Sequence, residues 1–236
     1  MRGFRPGRAV TLLSLAAFAV LVSLGTWQVQ RLFWKEELIG SIKAGLAEPP
    51  VDLADGLPGD YRQVRASGRI LDEPRLFFGS QVRNGEGGPL LVSLFEDSSG
   101  KQWLLERGWI PERAIEDASA GAFDVQGALD IEAVTRPARR RGPFTPDDNP
   151  QTGRIFAEVP AELNEAFGID VGDTVLVLRT GLPSGPPHDG LPLLSTVDPN
   201  LPNNHLGYVV TWYGLAAALV GVYIAFGRAR AREQEA

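Results

Sequence analysis

The chain is organised around one stretch near its C-terminus, Pro202-Asn203-Asn204-His205-Leu206-Gly207-Tyr208-Val209-Val210-Thr211-Trp212-Tyr213. This stretch opens an apolar run that continues to Gly227, so its single histidine lies where water would give way to lipid. An imidazole at that depth is costly unless it has a partner or a function. His205 is therefore the first candidate functional residue.

The composition argues against several classes of site. The 236 residues include no cysteine and two histidines, His188 and His205. A disulfide framework, a thiolate metal site and a cysteine nucleophile are thereby excluded. A multi-histidine metal site or a Ser-His-Asp hydrolase would have to use one of these two histidines, which disfavours both classes. His188 lies in a Gly/Pro-rich segment, where we expect a solvent-exposed loop histidine.

Two apolar runs are long enough to cross a membrane. The first extends from Val10 to about Trp27 and the second from Leu206 to Gly227, and neither contains a charged residue. A helix of about 20 residues spans a hydrocarbon core of about 30 Å. We therefore predict transmembrane helices at residues 10–28 and 206–227. A cleaved signal peptide is the alternative for the first run, with Ser23-Leu24-Gly25 as the cleavage site.

The distribution of charge predicts how the chain is oriented. Arginines precede the first run and follow the second, so the positive-inside rule assigns the tails 1–9 and 228–236 to the cytoplasm. Residues 31–205 contain 17 basic and 27 acidic residues, which favours an external location and disfavours a nucleic-acid partner. The basic tail is too short for a typical mitochondrial transit peptide. We therefore predict a multi-pass protein of the bacterial inner membrane with a periplasmic domain.

The external segment, residues 29–205, is predicted to be one β-rich domain with a helical entry over 28–47 and a Pro-rich return to the membrane. Residues 48–60 are predicted to be a turn-rich linker, and residues 84–89 a loop. A turn at Ser98-Ser99-Gly100 predicts a hairpin, and a short helix is expected from Pro160 to Phe167 before Gly168. Strands are expected at 64–70, 75–78, 90–95, 102–111, 125–136, 155–159 and 175–178. The predicted fold class is a membrane protein with two transmembrane α-helices flanking a β-rich (α+β) external domain.

Three motifs in this domain have structural interpretations. Trp103 and Trp109 are six residues apart, which predicts that both lie on one face of a strand and pack in a core or an interface. The run Arg139-Arg140-Arg141 is typical of a solvated charged face, with contact to acidic headgroups or a partner as the alternative. We interpret Arg107-Gly108-Trp109 as a fold-defining turn or strand edge and not as a catalytic site.

Four sequence blocks resemble the surfeit-locus protein 1 family of cytochrome c oxidase assembly proteins, in the order and topology of that family. They are Leu24-Gly25-Thr26-Trp27-Gln28 followed by Arg31, Lys35 and Leu38; residues 61–68; residues 106–111; and residues 202–208 with Thr211-Trp212-Tyr213. The resemblance implies a non-enzymatic membrane assembly factor for haem–copper cytochrome c oxidase. It further implies that the protein binds haem a and helps to insert it into subunit I, with subunit I and the haem a synthase as partners.

The resemblance also assigns the family's haem-binding histidine to His205, as a ligand of the haem iron. Tyr208 and Trp212 follow at i+3 and i+7 on the same helical face. Trp27 and Gln28 are expected at the same depth on the other helix. Arg31 or Lys35 would then pair with a haem propionate.

Two alternatives remain open at this stage. His205 could be an interfacial helix-start residue bonded to a carbonyl or a headgroup, with Arg31 and Lys35 on a solvated face. The protein could also be a membrane scaffold that stabilises subunit I without binding haem. Small residues at four-residue steps predict close packing of the second helix against the first helix or against an oxidase subunit; they are Gly214, Ala217, Ala218, Gly221 and Ala225.

Overall fold

The computed structural model describes residues 4, 6–182, 190–195, 197 and 203–233. The loop histidine His188 and the N-terminal Arg2 and Arg5 lie outside these residues. The chain divides into two compact units, one comprising Met1–Gly40 with Asn200–Ala236 and the other comprising Ser41–Pro199.

Two long apolar helices, α1 (Arg8–Ala47) and α4 (His205–Glu233), lie at the two ends of the chain. The mean hydropathy of their most apolar segments is 2.1 and 1.9, and only 6% of each segment is buried inside the protein. By length and composition, both helices can cross a membrane. The prediction of an apolar helix at each end is confirmed, and helix α1 includes the predicted helical entry.

The second unit is built on a mixed β-sheet. Its strands are β1 (Val51–Asp52), β2 (Gln63–Arg83), β3 (Glu86–Asp97), β4 (Gln102–Trp109), β5 (Leu129–Pro137), β6 (Arg154–Ile155) and β7 (Thr174–Thr180). Two short helices, α2 (Ile115–Ser119) and α3 (Pro160–Phe167), accompany them. The bounds of α3 are those predicted, because proline is favoured in the first turn of a helix and Gly168 adopts the left-handed conformation that ends it.

Five strands of this sheet form a closed ring. The strand order β2-β3-β4-β7-β5 returns to its start because β5 also pairs with the first residues of β2. The pairing of β4 with β7 is parallel and the other four pairings in the ring are antiparallel. Closure gives the long edges of the sheet hydrogen-bonding partners that an open sheet would lack.

Both faces of the ring are covered by apolar side chains. Trp103 and Leu105 of β4 pack in one cluster with Leu53, from a 3₁₀ turn at Leu53–Asp55. Their neighbour Leu104 packs on the opposite face with Leu163 of helix α3. Burial on both faces explains why the apolar residues Trp103, Leu104 and Leu105 follow one another in β4 instead of alternating with polar residues.

Several predicted boundaries in this unit are wrong. The two strands expected at 64–70 and 75–78 are parts of β2, whose register shifts between Leu71 and Leu76, around Pro74. The expected loop at 84–89 is a tight turn at Asn84-Gly85. Both residues have positive φ, as a two-residue hairpin turn requires, and Asn-Gly is a favoured sequence for such a turn. The expected linker 48–60 contains β1 and the 3₁₀ turn, and the strand expected at 155–159 is limited to Arg154–Ile155.

The prediction that Trp103 and Trp109 share a face is also wrong. Leu91 pairs with Gly108 and Val92 pairs with Glu106, so β4 contains one extra residue at Arg107. An inserted residue reverses the alternation of side chains beyond it. Trp109 therefore lies on the face of Leu104, and its indole nitrogen donates to Gly88 O at 3.1 Å.

Candidate functional site at the start of helix α4

The candidate site begins at His205, the first residue of helix α4. Asn204 precedes it, and asparagine is favoured immediately before a helix because its side chain can accept from the first backbone amides. The imidazole is half-buried in the first unit of the chain. His205 therefore lies at the start of the second apolar helix.

The imidazole is held by a residue of helix α1. His205 Nδ1 lies within hydrogen-bonding distance of Gln28 Oε1, at 2.7 Å. Gln28 is buried, with 8% of its surface exposed, so this contact satisfies an amide oxygen inside an apolar helix pair. Because Gln28 already contacts Nδ1, this nitrogen does not require a backbone carbonyl or a lipid headgroup, the two alternative partners considered for His205. No hydrogen bond to Nε2 occurs among the described residues.

The aromatic residues predicted for the site are arranged unequally around His205. Trp212 lies two turns further along α4 on the same face, and its indole Nε1 is buried without a hydrogen-bond partner among the described residues. Tyr208 and Trp27 are 55% and 53% exposed. The structure thus joins His205 to Gln28, with Trp212 further along the same face of α4, whereas Tyr208 and Trp27 lie at the surface.

The predicted cation, Arg31, lies one turn beyond Gln28 on helix α1. Its guanidinium stacks on the ring of Trp34 at 4.1 Å, and the residue is exposed. A stacked guanidinium retains its hydrogen-bond donors at the edge of the plane. Arg31 can therefore still bind an anion while it is held on Trp34.

Sequence reasoning missed the contacts that join the two helices. Gly25 is buried against Tyr213, where an added Cβ would lie 3.0 Å from the phenol ring. The Tyr213 hydroxyl is 3.1 Å from Thr26 Oγ1, and further along Thr11 Oγ1 is 2.9 Å from the Tyr223 hydroxyl. Hydroxyl side chains within apolar runs are the signal that could have identified these contacts.

The small residues singled out on α4 do not make this contact. Gly214 and Gly221 have open space beside them, whereas Ala216 is buried. Gly214 and Gly221 therefore do not pack on the first helix, where the glycine that permits close approach is Gly25, and their contact with an oxidase subunit stays a prediction.

In the second unit, buried charges form a network instead of a site open to solvent. Arg136 binds both Glu158 and Glu106, and Arg139 adds ion pairs to the same carboxylates at 3.4 and 3.2 Å. Burial alone raises the pKa of Glu106, but the charges of Arg136 and Arg139 outweigh it and hold that pKa below its usual range. Glu106 is thus held as a paired anion, which does not suit the role of a general acid.

The basic run at 139–141 is only in part the solvated face that was predicted. Arg139 also stacks on Phe78 at 4.5 Å, and Arg141 binds Asp148 and Glu162. Arg140 alone of the three is largely exposed, with 79% of its side chain accessible. The solvated-face prediction is therefore wrong for Arg139 and Arg141, because their charges are used within the fold.

The Arg107-Gly108-Trp109 motif also has a structural role. Burial lowers the pKa of Arg107 to about 10, and its guanidinium donates to the Phe123 carbonyl. Gly108 has φ +136°, and an added Cβ would overlap the Leu193 carbonyl. Trp109 and Leu193 exchange two backbone hydrogen bonds of 2.8 Å. The motif thus attaches residues 190–195, which belong to the Pro-rich return segment, to β4, as expected for a strand edge.

Within the described residues, no group of three His, Asp or Glu side chains is arranged to hold a metal ion.

Comparison with known proteins identifies the family of this chain. The family model described as the SURF1 family matches residues 15–217, which include Gln28, His205 and Trp212. A SURF1-like protein of Rickettsia conorii is 29% identical over 89% of this chain and 88% of its own length. A SURF1-like protein of Caenorhabditis briggsae is 28% identical over 92% and 74%, and Surfeit locus protein 1 of Rattus norvegicus is 27% identical over 85% and 70%.

Proposed function

This chain belongs to the SURF1 family, and on that premise we propose that it is a membrane-bound assembly factor that binds haem a and delivers it to subunit I of cytochrome c oxidase. Membership of the family implies a role in the assembly of cytochrome c oxidase. Members of the SURF1 family are assembly factors rather than enzymes, and the same is proposed for this chain.

The membrane location is supported by the two terminal helices. Each contains an apolar segment that is long enough to cross a bilayer and almost entirely exposed, which is unfavourable in water. Arg8 lies at the start of α1, and Arg228, Arg230 and Arg232 lie near the end of α4. By the positive-inside rule, both termini are cytoplasmic and the β-domain is periplasmic. Similarity to the Rickettsia conorii protein agrees with a bacterial membrane protein.

Haem binding is supported by one observation above all: a half-buried imidazole whose Nδ1 is bound to Gln28, with no hydrogen bond to Nε2 among the described residues. Imidazole is the commonest axial ligand of haem iron, and Nε2 is the nitrogen that would coordinate it. In this proposal haem a is cargo, and His205 is the residue that would hold its iron.

The surroundings of His205 fit the rest of a haem. The buried Nε1–H of Trp212 lacks an acceptor among the described residues, and an oxygen at the porphyrin edge would satisfy it. The exposed rings of Tyr208 and Trp27 supply apolar surface for the porphyrin. Arg31 is assigned to a propionate, because a guanidinium pairs well with a carboxylate.

The test compares haem content in three proteins purified from cells that make haem a: the unaltered chain, His205→Ala and His188→Ala. Soret absorbance per protein should fall several-fold in His205→Ala and remain unchanged in His188→Ala, which is the matched control. Equal haem content in His205→Ala and the unaltered protein would overturn the ligand assignment. If His205→Ala still supported full oxidase assembly, the protein would be a scaffold for subunit I.

A further inference from the structure

We propose that Gln28 is a positioning residue that keeps the hydrogen of the neutral His205 ring on Nδ1 and so leaves the Nε2 lone pair available to a ligand. This inference rests on the proposed function, because it concerns how His205 is presented to haem iron. It assigns to Gln28 a role different from that of lining the porphyrin.

The geometry defines which atom carries the hydrogen. Gln28 Oε1 lies 2.7 Å from Nδ1, and an amide oxygen can accept a hydrogen bond but cannot donate one. The hydrogen in this contact must therefore belong to Nδ1. In a neutral imidazole the other nitrogen then has none, and its lone pair points away from Gln28.

Gln28 is well placed to impose this tautomer. It lies inside the 40-residue helix α1, and its side chain is nearly buried, so few other conformations are open to it. The adjacent contact of Gly25 with Tyr213 fixes the distance between the two helices. The amide oxygen is therefore presented to His205 by rigid elements and not by a loop.

The nature of the acceptor suits a carrier. Histidine ligands of metals commonly donate their second N–H to a carboxylate or a carbonyl, which fixes the tautomer and raises the basicity of the ligand. A neutral amide raises that basicity less than a carboxylate does. Gln28 therefore orients the imidazole without strengthening the bond to iron as much as an acidic residue would, which favours release of the cargo.

The tautomer can be measured without haem. The chain contains only two histidines, so His188→Ala leaves one ring to observe by ¹⁵N NMR after selective histidine labelling. At alkaline pH, the haem-free protein should show the hydrogen on Nδ1. Gln28→Leu should shift the population toward Nε2–H, and Gln28→Glu should keep it on Nδ1. Gln30→Leu, an exposed position on the same helix, should match the unaltered ring.

A second measurement separates positioning from a general loss of structure. Haem affinity should fall about 10- to 100-fold in Gln28→Leu, the range found when partners of metal ligands are removed. Gln28→Glu should retain haem and lower the midpoint potential of the iron, because the carboxylate makes the imidazole a stronger donor. Melting temperatures of all variants identify any that are not folded.

The outcomes distinguish the two proposals. An unchanged tautomer in Gln28→Leu, or a Gln28→Glu protein with an unaltered potential, overturns the role of Gln28 even if His205 binds haem. Normal haem content in His205→Ala overturns the ligand assignment even if Gln28 controls the tautomer.

Discussion

Arg136 and Glu158 form a two-pronged ion pair in the interior of the β-domain. Arg136 Nη1 donates to one carboxylate oxygen of Glu158 over 2.7 Å, and Nη2 donates to the other over 2.6 Å. Nη2 also donates to Glu106 over 2.7 Å. One guanidinium therefore joins three parts of the chain: β5, β4 and the segment before α3. Glu158 is fully buried, so its carboxylate depends on these contacts.

Replacing Arg136 by methionine is expected to destabilise the protein strongly, because it leaves two buried carboxylates without their main partner. Breaking a buried pair in this way typically costs about 3–5 kcal/mol of unfolding free energy. Chemical denaturation of the purified full-length protein measures the loss. The control is Arg69→Met, whose pair with Glu96 is exposed and should be worth less than about 1 kcal/mol. Similar losses in both variants would contradict the assignment.

Glu106 should make the stability depend on pH in the acid range. Its folded-state pKa lies below the ordinary value of 4.5, so the unfolded chain binds a proton more readily than the folded chain. The stabilisation is therefore fully present above the unfolded-state pKa and is lost as pH falls through the folded-state pKa. Below about pH 4.5, the unfolding free energy should decline more steeply for the unaltered protein than for Glu106→Gln. Parallel pH curves would exclude this contribution.

Gly108→Ala should detach the return segment from β4. The residue would have to adopt φ +136° with a Cβ that overlaps the Leu193 carbonyl, and strain of this kind costs about 1–3 kcal/mol. We expect a lower melting temperature and faster proteolysis at residues 190–195. Gly87→Ala is the control, since its Cβ would meet nothing within 4 Å and its φ is not positive. If Gly87→Ala were as damaging, the effect would not be specific to the attachment at Leu193.

The elements that depend on local sequence were predictable. An uncharged apolar run needs no partner to favour a helix, so α1 and α4 were recognised at once. The proline and glycine at the two ends of α3 act within one turn, and the prediction of that helix was correct. The hairpin of β3 and β4 follows from the turn at Ser99-Gly100. At the candidate site, His205 stood out because a lone imidazole is unusual at such a boundary.

Other features depend on residues distant in the sequence. The extra residue at Arg107 reverses the face of Trp109, and only the pairing of β4 with β3 reveals it. Closure of the ring requires β5 to meet β2, about 65 residues earlier in the chain. Arg139 and Arg141 were expected in solvent because a run of charged residues does not indicate which carboxylates will pair with it. Only the fold places Glu106 beside Arg139 and Glu162 beside Arg141.

By itself, the sequence determined the two terminal helices, the β-rich nature of the segment between them and the choice of His205, because periodicity, helix punctuation and charge act over short distances. The tertiary structure alone decided that Gln28 Oε1 lies 2.7 Å from His205 Nδ1, since these residues are 177 positions apart. They meet because Gly25 permits Tyr213 to approach helix α1 closely. The hydrogen bond that orients the proposed ligand is therefore a property of helix packing, which no local pattern encodes.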